Sequence, residues 1–108
     1  MITTTHEDIE TLTRLIVQEY QPESIILFGS RARGDASEDS DIDLLVICDR
    51  KKDTPRPHRG KELRRKLAKV PHPFDLLIYS REEMERYRNV PQSFSATVMR
   101  EGVLLYGH

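Results

Sequence analysis

Two aspartates, Asp41 and Asp43, stand two residues apart at the head of an apolar run, Leu44-Leu45-Val46-Ile47-Cys48. Alternate residues of a strand point to the same face. A strand through residues 41–48 therefore projects both carboxylates together and turns Ile42 and Leu44 the other way, into packing. Adjacent carboxylates repel each other. A divalent cation between them removes that cost, and carboxylate oxygens suit Mg²⁺, which usually takes one or two of them plus substrate phosphates. Asp-x-Asp alone is common and reads more readily as a pair of exposed strand-edge carboxylates. The upstream residues change that balance. Gly29-Ser30 directly follows a short β-branched and apolar run, Ser24–Phe28. Glycine lets a bound group approach the backbone, and a serine hydroxyl with the first N–H groups of a helical turn suits phosphate oxygens. An ordinary strand-to-helix turn favours the same two residues. Here, however, the turn and the carboxylate pair are expected at the ends of adjacent strands, an arrangement that would let both face one cleft.

Two other phosphate and metal motifs are excluded. Gly29 to Gly34 has the glycine spacing of a P-loop, but Asp35 and Ala36 follow where Lys and Ser or Thr are required. Asp39, Asp41 and Asp43 imitate the start of an EF-hand loop, but Leu44 replaces its glycine and Arg50 its closing glutamate.

The elements that must position these residues follow from periodicity and punctuation. Thr4 and Glu7 have capping-box spacing, and Ile9, Leu12, Ile16, Val17 and Tyr20 then recur at helical intervals until Pro22. Ser24–Phe28 is a strand. Residues 30–40 form a loop with a helical turn at its start, and residues 41–48 form a strand covered on both faces in its second half. Residues 49–58, with two prolines and many charges, form a mobile loop. Residues 60–70 form a helix with Leu63, Leu67 and Val70 on one face, broken by Pro71 and Pro73. Phe74–Tyr79 is a third strand. Ser80 and Glu83 form a second capping box, opening a helix with Met84 and Tyr87 inward. Pro91 opens a further helix that carries Phe94, Val98 and Met99 and stops at Gly102. Residues 103–106 form a last strand. The order predicts an α/β (α+β) chain with a small mixed central sheet flanked by helices.

The 108 residues predict one domain, 1–108. Charges nearly cancel, with a net charge of -1, so bulk electrostatics give no strong pull toward nucleic acid or membrane. The single cysteine, Cys48, excludes an internal disulfide and reads as a small core residue. The N-terminus has no signal-peptide pattern and no run approaches membrane-spanning length, so a soluble cytoplasmic protein is expected. Residues 50–69 carry ten of the seventeen Lys and Arg against two acids, Asp53 and Glu62. That stretch reads first as a solvated loop and helix face, and second as a basic surface for an acidic or phosphate-bearing partner. His6, His58, His72 and His108 have no metal-ligand spacing. Tyr79, Tyr87 and Tyr106 read as packing residues. No aromatic stacking platform for RNA is evident.

The stretch Gly29-Ser30-Arg31-Ala32-Arg33-Gly34-Asp35-Ala36-Ser37-Glu38-Asp39-Ser40-Asp41-Ile42-Asp43-Leu44 resembles the signature of the DNA polymerase β-like nucleotidyltransferases, a Gly-Ser pair followed after ten residues by Asp-x-Asp. The Arg-Ala-Arg-Gly insert, the Ser-Asp-Ile-Asp-Leu ending and the closing Arg100-Glu101-Gly102-Val103-Leu104-Leu105-Tyr106 resemble the minimal nucleotidyltransferase branch. The likeness spans nearly the whole chain, and the joint motif is far more specific than either half. It implies a polymerase β-like fold in which Gly29 and Ser30 hold the triphosphate of ATP and Asp41 and Asp43 hold Mg²⁺, two ions in all. The family's third carboxylate falls on Asp75, the only acid in Phe74–Tyr79, which would help activate the acceptor hydroxyl. Two metals about 3.5–4 Å apart stabilise both the entering and the leaving oxygen of an in-line displacement. Arg31 and Arg33 are placed to neutralise phosphates, and read equally as solubility or partner-contact residues. The resemblance further implies an antitoxin that transfers AMP to a tyrosine of a HEPN-domain toxin. Alternatives from other classes are an idle antitoxin that acts by binding alone, and a small-molecule transferase of the aminoglycoside type, against which the short length counts.

Overall fold

The computed structural model describes residues 5–37 and 39–107. The elements run α1 (Thr5–Tyr20), β1 (Ser24–Phe28), α2 (Ser30–Arg33), β2 (Ile42–Ile47), two single 3-10 turns (Asp49–Lys51 and Arg56–His58), α3 (Lys61–Leu67), β3 (Phe74–Tyr79), α4 (Arg81–Arg86), α5 (Phe94–Glu101) and β4 (Val103–Gly107). The expected Thr4–Glu7 capping box lies partly outside the described residues. No described helix is long and apolar enough to cross a membrane.

The four strands form one mixed sheet in the order β3-β2-β1-β4. β1 is antiparallel to β2 and β4, and β2 is parallel to β3. A parallel pair needs a crossover, and α3 supplies it. Strand alternation then divides the core into two layers. Ile25 and Leu27, Leu44 and Val46, and Leu76 and Ile78 meet Leu12 and Ile16 of α1 and Leu63 and Leu67 of α3. On the other face Ile26 and Leu45 pack with Met84 of α4 and Val98 of α5, joined by Phe28, Ile47, Leu77, Tyr79 and Phe94. Leu44, Leu45 and Val46 are all buried, as expected of a strand covered on both faces.

Several local expectations shift. α3 ends at Leu67 rather than residue 70, although Val70 still packs into the core. The Ser80–Glu83 capping box forms in full, but α4 stops at Arg86, so Tyr87 is 52% exposed rather than inward. Tyr106 at 40% and Met99 at 50% are likewise exposed; only Tyr79 of the three expected packing tyrosines packs against the core, half-buried and with its ring tilted against Phe94. The final helix opens at Phe94 with Ser93 as its cap rather than at Pro91.

The 49–58 loop is tied down rather than loose. The Arg59 side chain, 3% exposed, donates to the carbonyls of Lys52 at 2.9 Å, Thr54 at 2.6 Å and Ile78 at 2.9 Å, and to the Glu83 carboxylate at 2.6 Å. A buried guanidinium is tolerable only when its donors are met. Other members of the basic stretch also serve internal bonding: Arg64 donates to the carbonyls of Arg59 and Leu76, Arg50 to that of Tyr20, and Lys66 pairs with Glu19. Gly60, at φ 82°, is needed where α3 begins, because a Cβ there would press on Ile78.

Candidate active site

β1 ends beside the start of β2, and β2 and β3 start together. The register places Phe28 opposite Asp43, and Asp43 opposite Asp75. Paired residues of adjacent strands point to the same face. Asp43 and Asp75 thus project side by side on the face that carries Leu45 and Leu77. Asp41 immediately precedes β2 and, by alternation, shares that face. Ile42 and Leu44 are buried on the opposite face, as the spacing predicts.

Asp43 is half-buried while Asp41 and Asp75 are exposed. Burial raises the Asp43 pKa above the usual carboxylate range, the charges of Asp75 and Asp41 raise it further, and Arg33 and Arg31 oppose the rise. Among the described residues none of the three carboxylates has a hydrogen-bond or ion-pair partner. That contrasts with Glu83, Glu23, Glu82 and Glu19, each of which is paired.

The Gly29-Ser30 turn sits against this cluster. Gly29 adopts φ 75° and ψ -157°, a conformation reserved for glycine. A Cβ on Gly29 would overlap the Asp43 carboxylate, so glycine is also the only residue that fits. Ser30 opens α2, and Gly34 closes it in the left-handed conformation. Among the described residues the Ser30 hydroxyl makes no hydrogen bond and stays available.

The two arginines of the insert differ. Arg33 is exposed and pairs with Asp35 at 3.3 Å. Arg31 turns back onto the loop, donating from Nε at 3.1 Å and Nη2 at 2.5 Å to the carbonyl of Ser40. His72 Nε2 lies 3.1 Å from the same carbonyl, and its Nδ1 lies 3.9 Å from the buried Asp8 carboxylate. Asp8 and His72 were not singled out from the sequence as part of the site. One signal for Asp8 existed: Asp8, Leu12, Ile16 and Tyr20 are the buried residues of α1, four apart, so an acid occupies the core stripe.

Among the described residues no three His, Cys, Asp or Glu groups form a ready metal-binding group. The donor set nonetheless fits Mg²⁺, which needs only one or two carboxylates when substrate phosphates supply the rest. Burial and the charges of Asp75 and Asp41 both raise the Asp43 pKa, and a divalent ion held by these carboxylates would relieve that repulsion.

Residues 10–108 match the family described as Polymerase beta, Nucleotidyltransferase. The chain belongs to that family. Two Methanocaldococcus jannaschii proteins, named "Putative protein adenylyltransferase" MJ1379 and MJ0604, are 47% identical over 36 residues and 68% identical over 25 residues. Those segments cover 33% and 23% of this chain, and only 36% and 25% of the relatives' lengths. Among solved structures, the family member resembles a "putative nucleotidyltransferase" from Sulfolobus solfataricus, with TM-score 0.62 and 24% identity over 95% of this chain and 86% of that one. It also resembles a chain of a toxin-antitoxin complex with AMP-PNP, with TM-score 0.58 and 24% identity over 96% of this chain and 74% of the other. At that identity the likeness concerns the fold. The chain thus carries the expected small mixed sheet, with Gly29-Ser30 and Asp41-Ile42-Asp43 at neighbouring ends of β1 and β2.

Proposed function

We propose that the chain is a Mg²⁺-dependent nucleotidyltransferase that moves AMP from ATP to a protein hydroxyl, with a tyrosine of a HEPN-type toxin as the leading acceptor and antitoxin action as the outcome. The observation that carries this reading is the grouping of Asp41, Asp43 and Asp75, three mutually repelling carboxylates, beside the Gly29-Ser30 turn at one end of the sheet. Family membership supports nucleotidyl transfer. The names of the two archaeal relatives favour a protein acceptor, and the toxin-antitoxin neighbour with AMP-PNP favours a toxin as that protein.

Each residue has a role that its position allows. The Gly29 backbone and the Ser30 hydroxyl take oxygens of the triphosphate. Asp41, Asp43 and Asp75 would hold Mg²⁺, which when bound offsets charge on the entering and leaving oxygens. The acceptor hydroxyl forms a bond to the α-phosphorus, the bond from that phosphorus to the bridging oxygen breaks, and pyrophosphate leaves. Asp75, exposed at the start of β3, would take the hydroxyl proton. Arg33 and Arg31 add positive charge near the phosphates, as they do at Asp43.

The test is incubation with Mg²⁺, ATP labelled at the α-phosphate and lysate of the host, beside the Asp41→Asn/Asp43→Asn variant. A labelled protein band that disappears with the variant supports the proposal. No label in either sample, with a partner that co-purifies with both, favours the contact-only antitoxin.

A further inference from the structure

We infer that Arg31 and His72 are positioning residues that clasp the peptide unit in front of Asp41 and so set where that carboxylate stands; the inference rests on the nucleotidyl-transfer reading above. The carbonyl of Ser40 belongs to the same planar peptide unit as the Asp41 N–H. That oxygen receives the fork of Arg31, Nε at 3.1 Å and Nη2 at 2.5 Å, and lies 3.1 Å from His72 Nε2. One residue on, the Ile42 N–H donates to Pro73 at 3.0 Å. Asp41 is therefore held between two pinned peptide units although its own side chain is exposed and lacks a protein partner.

The clasp joins three segments that must agree for the site to work. Arg31 comes from α2, directly after the Gly29-Ser30 turn. Ser40 ends the loop that leads to Asp41. His72 lies on the approach to β3, three residues before Asp75. Asp8 of α1, 4% exposed, backs the imidazole from the far side at 3.9 Å. His72 Nε2 also lies 3.1 Å from Arg31 Nη2. A carbonyl only accepts and a guanidinium only donates. A protonated Nε2 therefore donates to Ser40, and a bare one accepts from Arg31; the ring stays in the clasp in either tautomer. With Nε and Nη2 committed to Ser40, Arg31 acts on the metal ligand through the backbone, while its charge still reaches Asp43.

The experiment uses the full chain and the variants Arg31→Ala, Arg31→Lys, His72→Phe and, as control, Arg33→Ala. Three quantities are read: amide hydrogen exchange at Ile42, Mn²⁺ affinity by titration as a probe of the carboxylates, and kcat and KM for ATP. Arg31→Ala is expected to speed exchange at Ile42, weaken Mn²⁺ binding and lower kcat by about tenfold or more, the usual scale for a partner that orients a metal ligand. Its KM for ATP should move by a smaller factor than its kcat, because the Arg31 fork is bonded to Ser40 and only its charge is felt at the phosphates. Arg31→Lys, which keeps the charge but replaces the two-nitrogen fork with one ammonium nitrogen, should restore part of each loss, and Arg33→Ala should leave Ile42 exchange unchanged. His72→Phe keeps an aromatic ring and removes both ring nitrogens, so it should show a smaller version of the same pattern even where Arg31→Ala folds poorly. The clasp is overturned when Arg31→Ala leaves Ile42 exchange and Mn²⁺ affinity at wild-type values, or raises the KM for ATP with kcat retained, which would make Arg31 a phosphate ligand. Absence of transfer in the wild type would instead sink the functional reading, and exchange and Mn²⁺ binding would still score the clasp.

Discussion

Replacing Asp43 with Asn should make the metal-free protein more stable while abolishing transfer. The Asp43 carboxylate is half-buried, faces Asp75 directly across the β2–β3 ladder and has Asp41 two residues away. Like charges directly opposite on neighbouring strands cost up to about 1 kcal/mol. Asparagine keeps the shape and removes one member of the cluster, so the gain is about 1 kcal/mol. For a domain of roughly 100 residues that corresponds to about 4–8 °C in the melting temperature. Thermal unfolding followed by circular dichroism, in EDTA and low salt, reads the effect. Repeating the melt in about 1 M NaCl should shrink the difference, because the screening length falls to about 3 Å. Millimolar Mg²⁺ should raise the wild-type midpoint by mass action and leave the variant nearly unmoved. A variant that melts lower than wild type in EDTA would mean that the folded protein already satisfies the Asp43 charge, and the argument for a cation at this site would fail.

Other perturbations probe the scaffold. Gly29→Ala should destabilise by about 1–3 kcal/mol, since alanine is strained at φ 75° and its Cβ overlaps the Asp43 carboxylate; urea unfolding measures it, and adding Asp43→Ala should recover part of the loss. Glu83 is held at a pKa of about 2 against an ordinary 4.5, first by its hydrogen bond from Arg59. A depressed carboxylate stabilises above its ordinary pKa and loses that contribution as pH falls, so unfolding free energy should drop by roughly 1–2 kcal/mol, after allowance for solvent screening, between the ordinary and the depressed value. Glu83→Gln should flatten that part of the pH curve but lower the neutral-pH plateau by about 3 kcal/mol, because Arg59 stays buried with its charge unpaired. Leu63→Ala, at a fully buried position of α3, should cost about 2–5 kcal/mol by chemical denaturation without moving the KM for ATP.

Local punctuation explains which parts of this molecule were legible in its sequence. The sequence predicts β1 and β3 to the residue because each is an apolar run fenced by breakers, Pro22 and Gly29 for one, Pro73 and the capping Ser80 for the other. Periodicity carries α3 three residues past its end at Leu67 because Val70 fits the stripe of Leu63 and Leu67; Val70 packs from a turn rather than from the helix. The spacing from Met84 predicts Tyr87 inward, but α4 ends at Arg86 and helical spacing no longer applies. At the site, Gly29, Ser30, Asp41 and Asp43 are close in sequence and announce themselves. Asp75 needed a family resemblance, because its place opposite Asp43 depends on a parallel pairing across α3 that no local pattern encodes. Asp8 and His72 were missed for the same reason, with one difference. A carboxylate on a core stripe must find a partner, so Asp8, in line with Leu12 and Ile16, required one. Only the sheet topology, which brings the approach to β3 against the first turns of α1, identifies that partner as His72 and leads from it to Ser40, Arg31 and the carboxylate of Asp41.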